Sequence, residues 1–383
     1  MTRPLFRCVG SRFIPITAAF ALLYLAFLLS APPLLRAQTQ ALAPQISVDG
    51  ECTAIAYAPD GRMAYSIKHV FPVLKLDVQR DDIWVMETDG RRHRIVNGER
   101  MARGDQAFSY TITGLRWSAD SKRITADLST SQLGAAGETL RDQMLLLLGS
   151  DGKEIRIAGG DNLVTGTVGG AWLGTEDTVA YLTETVQPKL MFSISMIQSP
   201  GGRVVHLFGR RPFAAVAWNP RLGKAVAIER DPTDAGDTRL VLLDLLQEDH
   251  QLLARLDDYS GSLSFSPSGD LVAFFHDYET LEVRQIAHPD QIARVHVAYG
   301  PIAWPPDEKR VLVKRGPDRQ PGDLVWVPLP AFSAASENIP AAQPELMPLL
   351  GGAMFRESAL SPDGKSAAVT TVENRKLEVF TLK

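Results

Sequence analysis

The sequence predicts an all-β fold, a β-propeller of seven four-stranded blades, and three observations support this prediction. A strand–turn–strand pattern recurs seven times along the chain. Its average spacing is about 50 residues, which is typical of a four-stranded propeller blade. Four of the six Trp residues occupy the same position in this pattern, and a random scatter of Trp would not do so.

Each repeat is a short apolar strand that ends in a large residue, then a Pro/Asp/Gly-type turn, then a second apolar strand. Clear copies are "AIAYAPDGRMAYSI" (54–67), "SLSFSPSGDLVAFF" (262–275) and "SALSPDGKSAAVT" (358–370). The large residues in register are Tyr57, Trp117, Trp172, Trp218, Phe265, Trp304 and Leu360. The residues just before them are Ala56, Arg116, Ala171, Ala217, Ser264, Ala303 and Ala359. Alternation places the two columns on opposite sheet faces, so that large residues can pack on small ones of a neighbouring blade.

A hairpin follows each second strand, and the last repeat is incomplete. Turns such as "TDG" and "SDG" tolerate positive φ, as tight hairpins require. The last repeat supplies only three strands, whereas "PQISVDG" (44–50) precedes the first repeat without a partner. We therefore expect the N-terminal strand to close the last blade and remove two exposed sheet edges. The weak turn "WLGTED" of the third repeat leaves six blades as an alternative.

Residues 1–37 are predicted to be a secretory signal peptide that is cleaved after Ala37. Arg3, Arg7 and Arg12 precede a mostly apolar run from Ile14 to Leu35. The alternative is a retained membrane anchor, because the run nearly reaches spanning length. Residues 38–383 would then form one propeller domain, a periplasmic or secreted monomer without membrane insertion.

The charge and the cysteine count narrow the classes of partner. The chain carries a net charge of −4, which becomes −8 when the four Arg of residues 1–37 are removed. A mildly acidic mature chain argues against nucleic-acid binding. Cys52 would be the one Cys remaining, so export here does not imply a disulfide scaffold. We interpret Cys52 as a small buried residue rather than a reactive one.

The repeats "YAPDGRMAYSI", "FSPSGDLVAFF" and "LSPDGKSAAVT", with the hairpin "VMETDGRRHRI", resemble the TolB-type, WD-like propeller repeat of exported bacterial proteins. The resemblance covers about 44–383 and implies a propeller in the cell envelope. TolB itself has an α/β domain before its propeller, and nothing of domain size precedes the first repeat here. The resemblance therefore concerns the repeat type, and it says little about function.

No catalytic motif is present. The chain lacks the Gly-x-Ser-x-Gly elbow of serine hydrolases, a His-Glu-x-x-His pair and an EF-hand loop, and we expect no cofactor or metal. Two side chains leave alternatives open. His276 and Asp277 could belong to a metal site assembled from several blades, although a solvated loop pair is the simpler interpretation. Arg116 replaces a small residue in the inner column, where it must form an ion pair or reach the central channel as a contact for a ligand.

The connections between second and third strands are long, charged and variable, and loops of this kind carry function on a rigid scaffold. We therefore predict a partner-binding face near six residues, namely Arg80, Asp82, Arg230, His276, Asp277 and Arg315. Residues 330–350 are predicted to be a flexible insertion in the sixth blade. The predicted function is a non-catalytic protein-interaction scaffold in the cell envelope; the alternative is a propeller enzyme or small-ligand binder with its site at the channel mouth.

Overall fold

A computed structural model describes residues 43–382 except 74–75, 101–107, 134–137, 156–162, 166, 175–177, 186–190, 199–202, 232–233, 298–299, 301, 316–321, 336–340, 343–346, 354 and 374. The predicted signal peptide lies outside this part of the chain. The described residues form seven antiparallel sheets with four main strands each, and one separate hairpin. The predicted all-β class and the count of seven blades are confirmed, and the third repeat supplies a complete blade.

The chain begins its described part with β1 (Ile46–Asp49) and then forms blades 1 to 3. Blade 1 contains β2 (Ile55–Tyr57), β3 (Met63–Ile67), β6 (Asp82–Met86) and β7 (Arg92–Val96), and the extra hairpin is β4 (Val70–Val73) with β5 (Leu76–Gln79). Blade 2 contains β8 (Phe108–Trp117), β9 (Arg123–Leu133), β10 (Thr139–Gly149) and β11 (Leu163–Thr165). Blade 3 contains β12 (Thr167–Leu173), β13 (Thr178–Thr185), β14 (Met191–Gln198) and β15 (Val204–Arg211). One short 3-10 helix, Gly98–Arg100, follows β7.

Blades 4 to 7 continue the same order. Blade 4 contains β16 (Phe213–Asn219), β17 (Lys224–Asp231), β18 (Asp234–Asp244) and β19 (Asp249–Leu256). Blade 5 contains β20 (Gly261–Phe265), β21 (Leu271–Phe275), β22 (Thr280–Gln285), β23 (Gln291–His296) and the added β27 (Ser333–Ala334). Blade 6 contains β24 (Ile302–Ala303), β25 (Arg310–Arg315), β26 (Gly322–Pro328) and β28 (Met347–Ala353). Blade 7 contains β29 (Phe355–Leu360), β30 (Ser366–Thr371), β31 (Lys376–Thr381) and β1.

The first strand of every blade is innermost in the ring. Each first strand contacts the first strands of both neighbouring blades, and this chain of contacts closes between β29 and β2. The first strands are partly exposed along their length, as in β20, whereas the second strands, such as β21, are fully buried. This difference is expected when first strands line a central channel and second strands are covered by the adjoining blades.

The N-terminal strand closes the ring, as predicted. β1 pairs antiparallel with β31, with Ile46 opposite Val379 and Asp49 opposite Lys376. Val48 of β1 is 5% exposed and joins an apolar cluster that includes Met63 of blade 1 and Leu377 of blade 7. Backbone pairing therefore completes blade 7, while the cluster joins that blade to blade 1.

The predicted pairing of large and small columns is confirmed at two junctions between blades. The indole N–H of Trp117 donates a 3.0 Å hydrogen bond to the carbonyl oxygen of Ala56 in the preceding blade. The indole N–H of Trp304 likewise donates to Ser264 Oγ, at 3.1 Å. A small residue is needed in the preceding blade because a bulky side chain there would push the indole away.

The ring has two ends, which we name by their connections. The turn face carries the turns between first and second strands, such as Pro59–Gly61, and the hairpin turns between third and fourth strands. In that second set, Gly90 and Gly152 adopt φ of 84° and 82°, and they confirm that the "TDG" and "SDG" sequences form hairpin turns. The connection face carries the segments between second and third strands.

Residues 330–350 are predicted to be a flexible insertion in blade 6, but the described part of this segment includes a short strand. Its residues Ser333 and Ala334 form β27, which pairs with β23 and extends the sheet of blade 5. Ala342 also bridges to Val295 of the same strand. The insertion therefore covers the outer edge of the neighbouring blade, which protects an otherwise open strand edge. Among the residues described, no helix is long and apolar enough to cross a membrane.

Candidate functional site

The connection face is most elaborate over blades 1 and 2. The hairpin β4–β5 rises from blade 1 between its second and third strands. In blade 2, β8 has 10 residues and β9 and β10 have 11 each, whereas β2 and β3 of blade 1 have three and five. The extra length of blade 2 projects on the same side as the hairpin, and the two extensions contact each other.

Asp81 is the buried anchor of this extension. Its side chain is fully buried. Its Oδ2 accepts hydrogen bonds from Thr53 Oγ1 at 2.9 Å and from the Ile112 amide at 2.8 Å. Its Oδ1 accepts from Gln79 Nε2 at 3.0 Å. One carboxylate therefore joins the start of blade 1, the hairpin and the first strand of blade 2, although burial raises its pKa despite these donors.

Arg80 and Asp82 flank this anchor, and both are buried. Arg80 is 3% exposed, donates from Nε to the Phe108 carbonyl oxygen at 2.8 Å, and stacks over Phe71. Asp82 is 6% exposed and accepts hydrogen bonds from the Gly98 amide at 2.8 Å and from Arg94 at 3.1 Å. These contacts are internal, so the two residues hold the hairpin in place and have little surface to offer a partner. We therefore leave them out of the candidate contact surface.

Exposed apolar side chains lie on the same face. Val70 on the hairpin is 50% exposed, Leu140 on blade 2 is 45% exposed, and Val372 on blade 7 is 45% exposed. We call these three residues the three-blade surface. Tyr278, in the connection of blade 5, is 72% exposed on the same face. Sequence reasoning missed all four, and the available signal was a large apolar residue inside a connection predicted to be exposed.

Polar links join the blades beneath the three-blade surface. Glu51 receives Lys68 at 3.1 Å and Arg356 of blade 7 at 3.2 Å. Gln79 Nε2 of the hairpin donates to Thr111 Oγ1 of blade 2 at 2.9 Å. Blades 7, 1 and 2 therefore hold their connections in a defined arrangement rather than as independent loops.

The other predicted contact residues belong to blades 4 to 6. Arg230 is partly exposed, with Nη2 4.0 Å from Asp258. His276 and Asp277 are partly exposed, and Asp277 accepts the Glu279 amide at 2.7 Å in a local turn. Burial alone would raise the pKa of Asp277, but hydrogen bonds from the amide of Glu279 and from Thr280 outweigh it and lower the pKa. The side chain of Arg315, at the end of β25, lies outside the described residues.

The six residues therefore do not come together in one cluster, since two are buried in blade 1 and the rest are spread over three further blades. Within the part of the chain that the structure describes, no group of three or more His, Cys, Asp or Glu is placed to hold a metal ion. The partner role predicted for Arg230, His276, Asp277 and Arg315 stays a prediction.

Arg116 forms the ion pair that was one of its two predicted interpretations. Its Nη1 lies 2.5 Å from Asp127 Oδ2 and 3.2 Å from the carbonyl oxygen of Gly170 in blade 3. The side chain is still 36% exposed and lines a cavity of about 220 Å³ together with Phe213 and Trp218. The charge is thus paired, and it ties blade 2 to blade 3.

Glu357, in the first strand of blade 7, was not singled out from the sequence. Burial raises the pKa of this carboxyl from 4.5 to about 7, and the nearby Arg356 only partly opposes that shift. Glu357 lies three residues before the large-column residue of its blade. In blades 1 to 3 the residues at this position are small, namely Ala54, Gly114 and Gly169. A Glu in a column of small residues was the signal that could have identified it.

Comparisons with known proteins support the fold. No protein-family model matches the chain, and no curated protein matches it. Among solved structures, the chain is similar to the β-propeller domain of Cps50 (Swd1) from Myceliophteria thermophila, with a TM-score of 0.55 and 11% sequence identity. The match covers 88% of this chain and 100% of that domain. The chain thus has a WD40-like seven-bladed propeller fold, and at this identity the likeness concerns the fold alone.

Proposed function

We propose that this chain is an exported interaction scaffold whose connection face holds a protein partner in the cell envelope. The observation that carries the proposal is the three-blade surface, where Val70, Leu140 and Val372 expose apolar area on three consecutive blades. Exposed apolar side chains gathered at one end of a rigid scaffold are typical of protein–protein contact sites. The TolB-like repeat and the N-terminal signal segment support placement in the envelope.

The rigid support under this surface strengthens the proposal. Asp81, Arg80 and Asp82 use buried polar contacts to fix the hairpin against blade 2. A surface that is already ordered loses less conformational entropy when a partner binds. The charged residues Arg230, His276 and Asp277 lie on the same face in blades 4 and 5 and would extend the contact as a polar rim.

The test is affinity purification of the mature protein, tagged at its C-terminus, from crosslinked envelopes of its own host. The variant carries Val70→Asp and Leu140→Asp, which place charges in the proposed contact. The matched control carries Leu246→Asp and Leu252→Asp, since these side chains are 60% and 48% exposed in blade 4, away from the connection face. We expect one stoichiometric partner whose recovery falls about tenfold in the first variant and is unchanged in the control.

Two results would contradict this proposal. Equal loss or equal recovery of the partner in the two variants, when circular dichroism shows both to be folded, would contradict a contact at the three-blade surface. Absence of any stoichiometric partner would contradict the scaffold function itself. For export, we expect mass spectrometry of the envelope protein to find a mature N-terminus at Gln38, whereas a chain starting at Met1 would support the retained anchor.

A further inference from the structure

A groove of about 400 Å³ opens on the turn face where blade 7 meets blade 1. Its apolar wall includes Tyr57, Met63 and Met86, and its rim carries the carboxylates of Asp60, Glu87 and Asp363. The described residues that line it include no Lys or Arg. The groove therefore combines an aromatic ring, apolar side chains and negative charge.

Other junctions between blades show what fills the corresponding space. Between blades 1 and 2, the guanidinium of Arg62 lies 5.2 Å from the ring centroid of Trp117. Between blades 2 and 3, Arg123 lies 4.8 Å from the ring of Trp172. In both cases an arginine of one blade covers the large-column aromatic residue of the next blade, with the geometry of a cation–π contact.

The junction of blades 7 and 1 keeps the aromatic residue, but no arginine of the described residues stacks on it. Tyr57 is the large-column residue of blade 1, and the residue of blade 7 that corresponds to Arg123 is Ser366. Ser366 lines the groove, but its side chain ends at one hydroxyl. The residue that corresponds to Arg62 is Lys365, which is exposed. Among the residues described, the groove thus repeats the setting of the two arginine contacts without a guanidinium.

The rim charges favour a cation there. Asp363 Oδ1 accepts hydrogen bonds from Ser361 Oγ at 2.6 Å and from the Lys365 amide at 3.0 Å, which keep its carboxylate in position. Those two bonds lower the pKa of Asp363, so it is ionised at neutral pH. Asp60 is already paired with Arg62 at 2.8 Å, and Glu87 Oε1 lies 3.6 Å from His93 Nδ1, so Asp363 is the rim carboxylate on which the proposal rests.

We propose that this groove binds an arginine side chain presented by an extended segment of a partner protein. The planar guanidinium would stack on Tyr57 and donate to Asp363, while the methylene stem would pack on Met63 and Met86. The site lies at the opposite end of the ring from the three-blade surface, so it goes beyond the proposed function and does not depend on it.

The probe is a fluorescein-labelled peptide, Gly-Leu-Arg-Leu-Gly amide, titrated with the mature protein and followed by fluorescence anisotropy. Its matched control replaces arginine with citrulline, which keeps the shape and removes the charge. We expect the arginine peptide to bind at least about tenfold more tightly than the citrulline peptide, because both the stacking and the charge-assisted hydrogen bond need the cation. Equal affinity for the two peptides, or no binding of either, would overturn the proposal.

Two variants locate the site. Asp363→Asn keeps the oxygen that accepts the turn hydrogen bonds but removes the charge, and we expect about fivefold weaker binding of the arginine peptide. Asp120→Asn is the matched control, because Asp120 accepts the same two bonds, from Ser118 Oγ and the Lys122 amide, in the turn of blade 2. Equal effects of the two variants would contradict binding at this groove.

Ser366→Arg tests the proposal by supplying an arginine from the chain itself. It places an arginine at the position where Arg123 covers Trp172, so we expect it to occupy the groove, abolish binding of the arginine peptide and raise the unfolding temperature. Unchanged peptide binding by a folded Ser366→Arg protein would overturn the proposal.

Discussion

Blade 1 contacts blade 2 on one side and blade 7 on the other, and the two junctions are held by different interactions. At the junction with blade 2, Trp117 donates to Ala56 and carries Arg62 on its ring, and Asp81 accepts the amide of Ile112. At the junction with blade 7, the ion pair of Arg356 with Glu51 crosses between the blades, and cavities of about 400 and 190 Å³ open on the two faces. Contacts with the large-column residue characterise the first junction, whereas two cavities open at the second.

The difference follows from how a ring of repeats closes. At the closing junction, the backbone pairing of β1 with β31 completes blade 7, so the side chains there need not supply all of the closure. Elsewhere the blades follow one another along the chain, and large and small columns contact each other, as at Trp117 and Ala56.

Each junction also holds an acidic residue whose pKa is raised by burial. Asp81, beside blade 2, has three hydrogen-bond donors on its carboxylate. Glu357, beside blade 1, is partly buried and lies near the Cys52 thiol, whose own pKa burial raises to about 12. The hydrogen bonds of Asp81 stabilise the fold, whereas the ionised form of Glu357 destabilises it because the charge is partly buried. The second effect depends on pH.

The largest effect is expected from Asp81→Ala. The change leaves the buried Ile112 amide without its acceptor and removes one hydrogen bond each from Thr53 and Gln79, and we expect it to lower the free energy of unfolding by about 3 kcal/mol. Urea unfolding measures this change. Asp77→Ala on the same hairpin is the control, since Asp77 is exposed and should cost less than about 0.5 kcal/mol. Similar costs for both would mean that the Asp81 contacts do not hold this junction.

The next effect is a pH-dependent gain from Glu357→Gln. The folded-state pKa of about 7 lies above the ordinary 4.5, so the folded protein binds the additional proton between these values and its stability falls as pH rises through them. At pH 8 the variant should be more stable than the natural chain by about 2–3 kcal/mol, and at pH 4.5 the two should be nearly equal.

Urea unfolding at pH 4.5 and at pH 8 checks this prediction. Glu373→Gln serves as the control, because Glu373 is an exposed carboxylate in the adjoining connection and its substitution should leave stability unchanged at both pH values. A gain from Glu357→Gln that is the same at both pH values would show that the buried charge is not its cause.

The smallest effect compares the large-column residues of the two junctions. Trp117→Phe removes the hydrogen bond to Ala56 and part of the ring under Arg62, and we expect a loss of about 1–2 kcal/mol. Tyr57→Phe removes only a hydroxyl at the groove and should cost less than about 0.5 kcal/mol. Thermal unfolding of both variants measures the difference, and equal losses would show that the two junctions are equally dependent on their aromatic residue.

Much of the fold was predictable because the same pattern occurs in every repeat, so that each copy supports the interpretation of the others. One strand–turn–strand unit is ambiguous, but seven copies in register identify the columns, the turns and the unpaired strand at 44–50. The candidate site was less predictable. Arg80 and Asp82 lie in a polar connection whose sequence resembles solvated loops, and their burial depends on the way the hairpin packs against Phe108 and Gly98.

The sequence by itself determined the all-β class, the four-stranded blade repeat and the closure by β1, because each depends on a periodic pattern of apolar residues along one chain. Only the tertiary structure decided which connection residues are buried, that Arg116 pairs with Asp127, and that a groove opens beside Tyr57. These features depend on distances between residues of different blades. Local sequence specifies each strand, but the curvature of the closed ring sets which side chains meet across a junction.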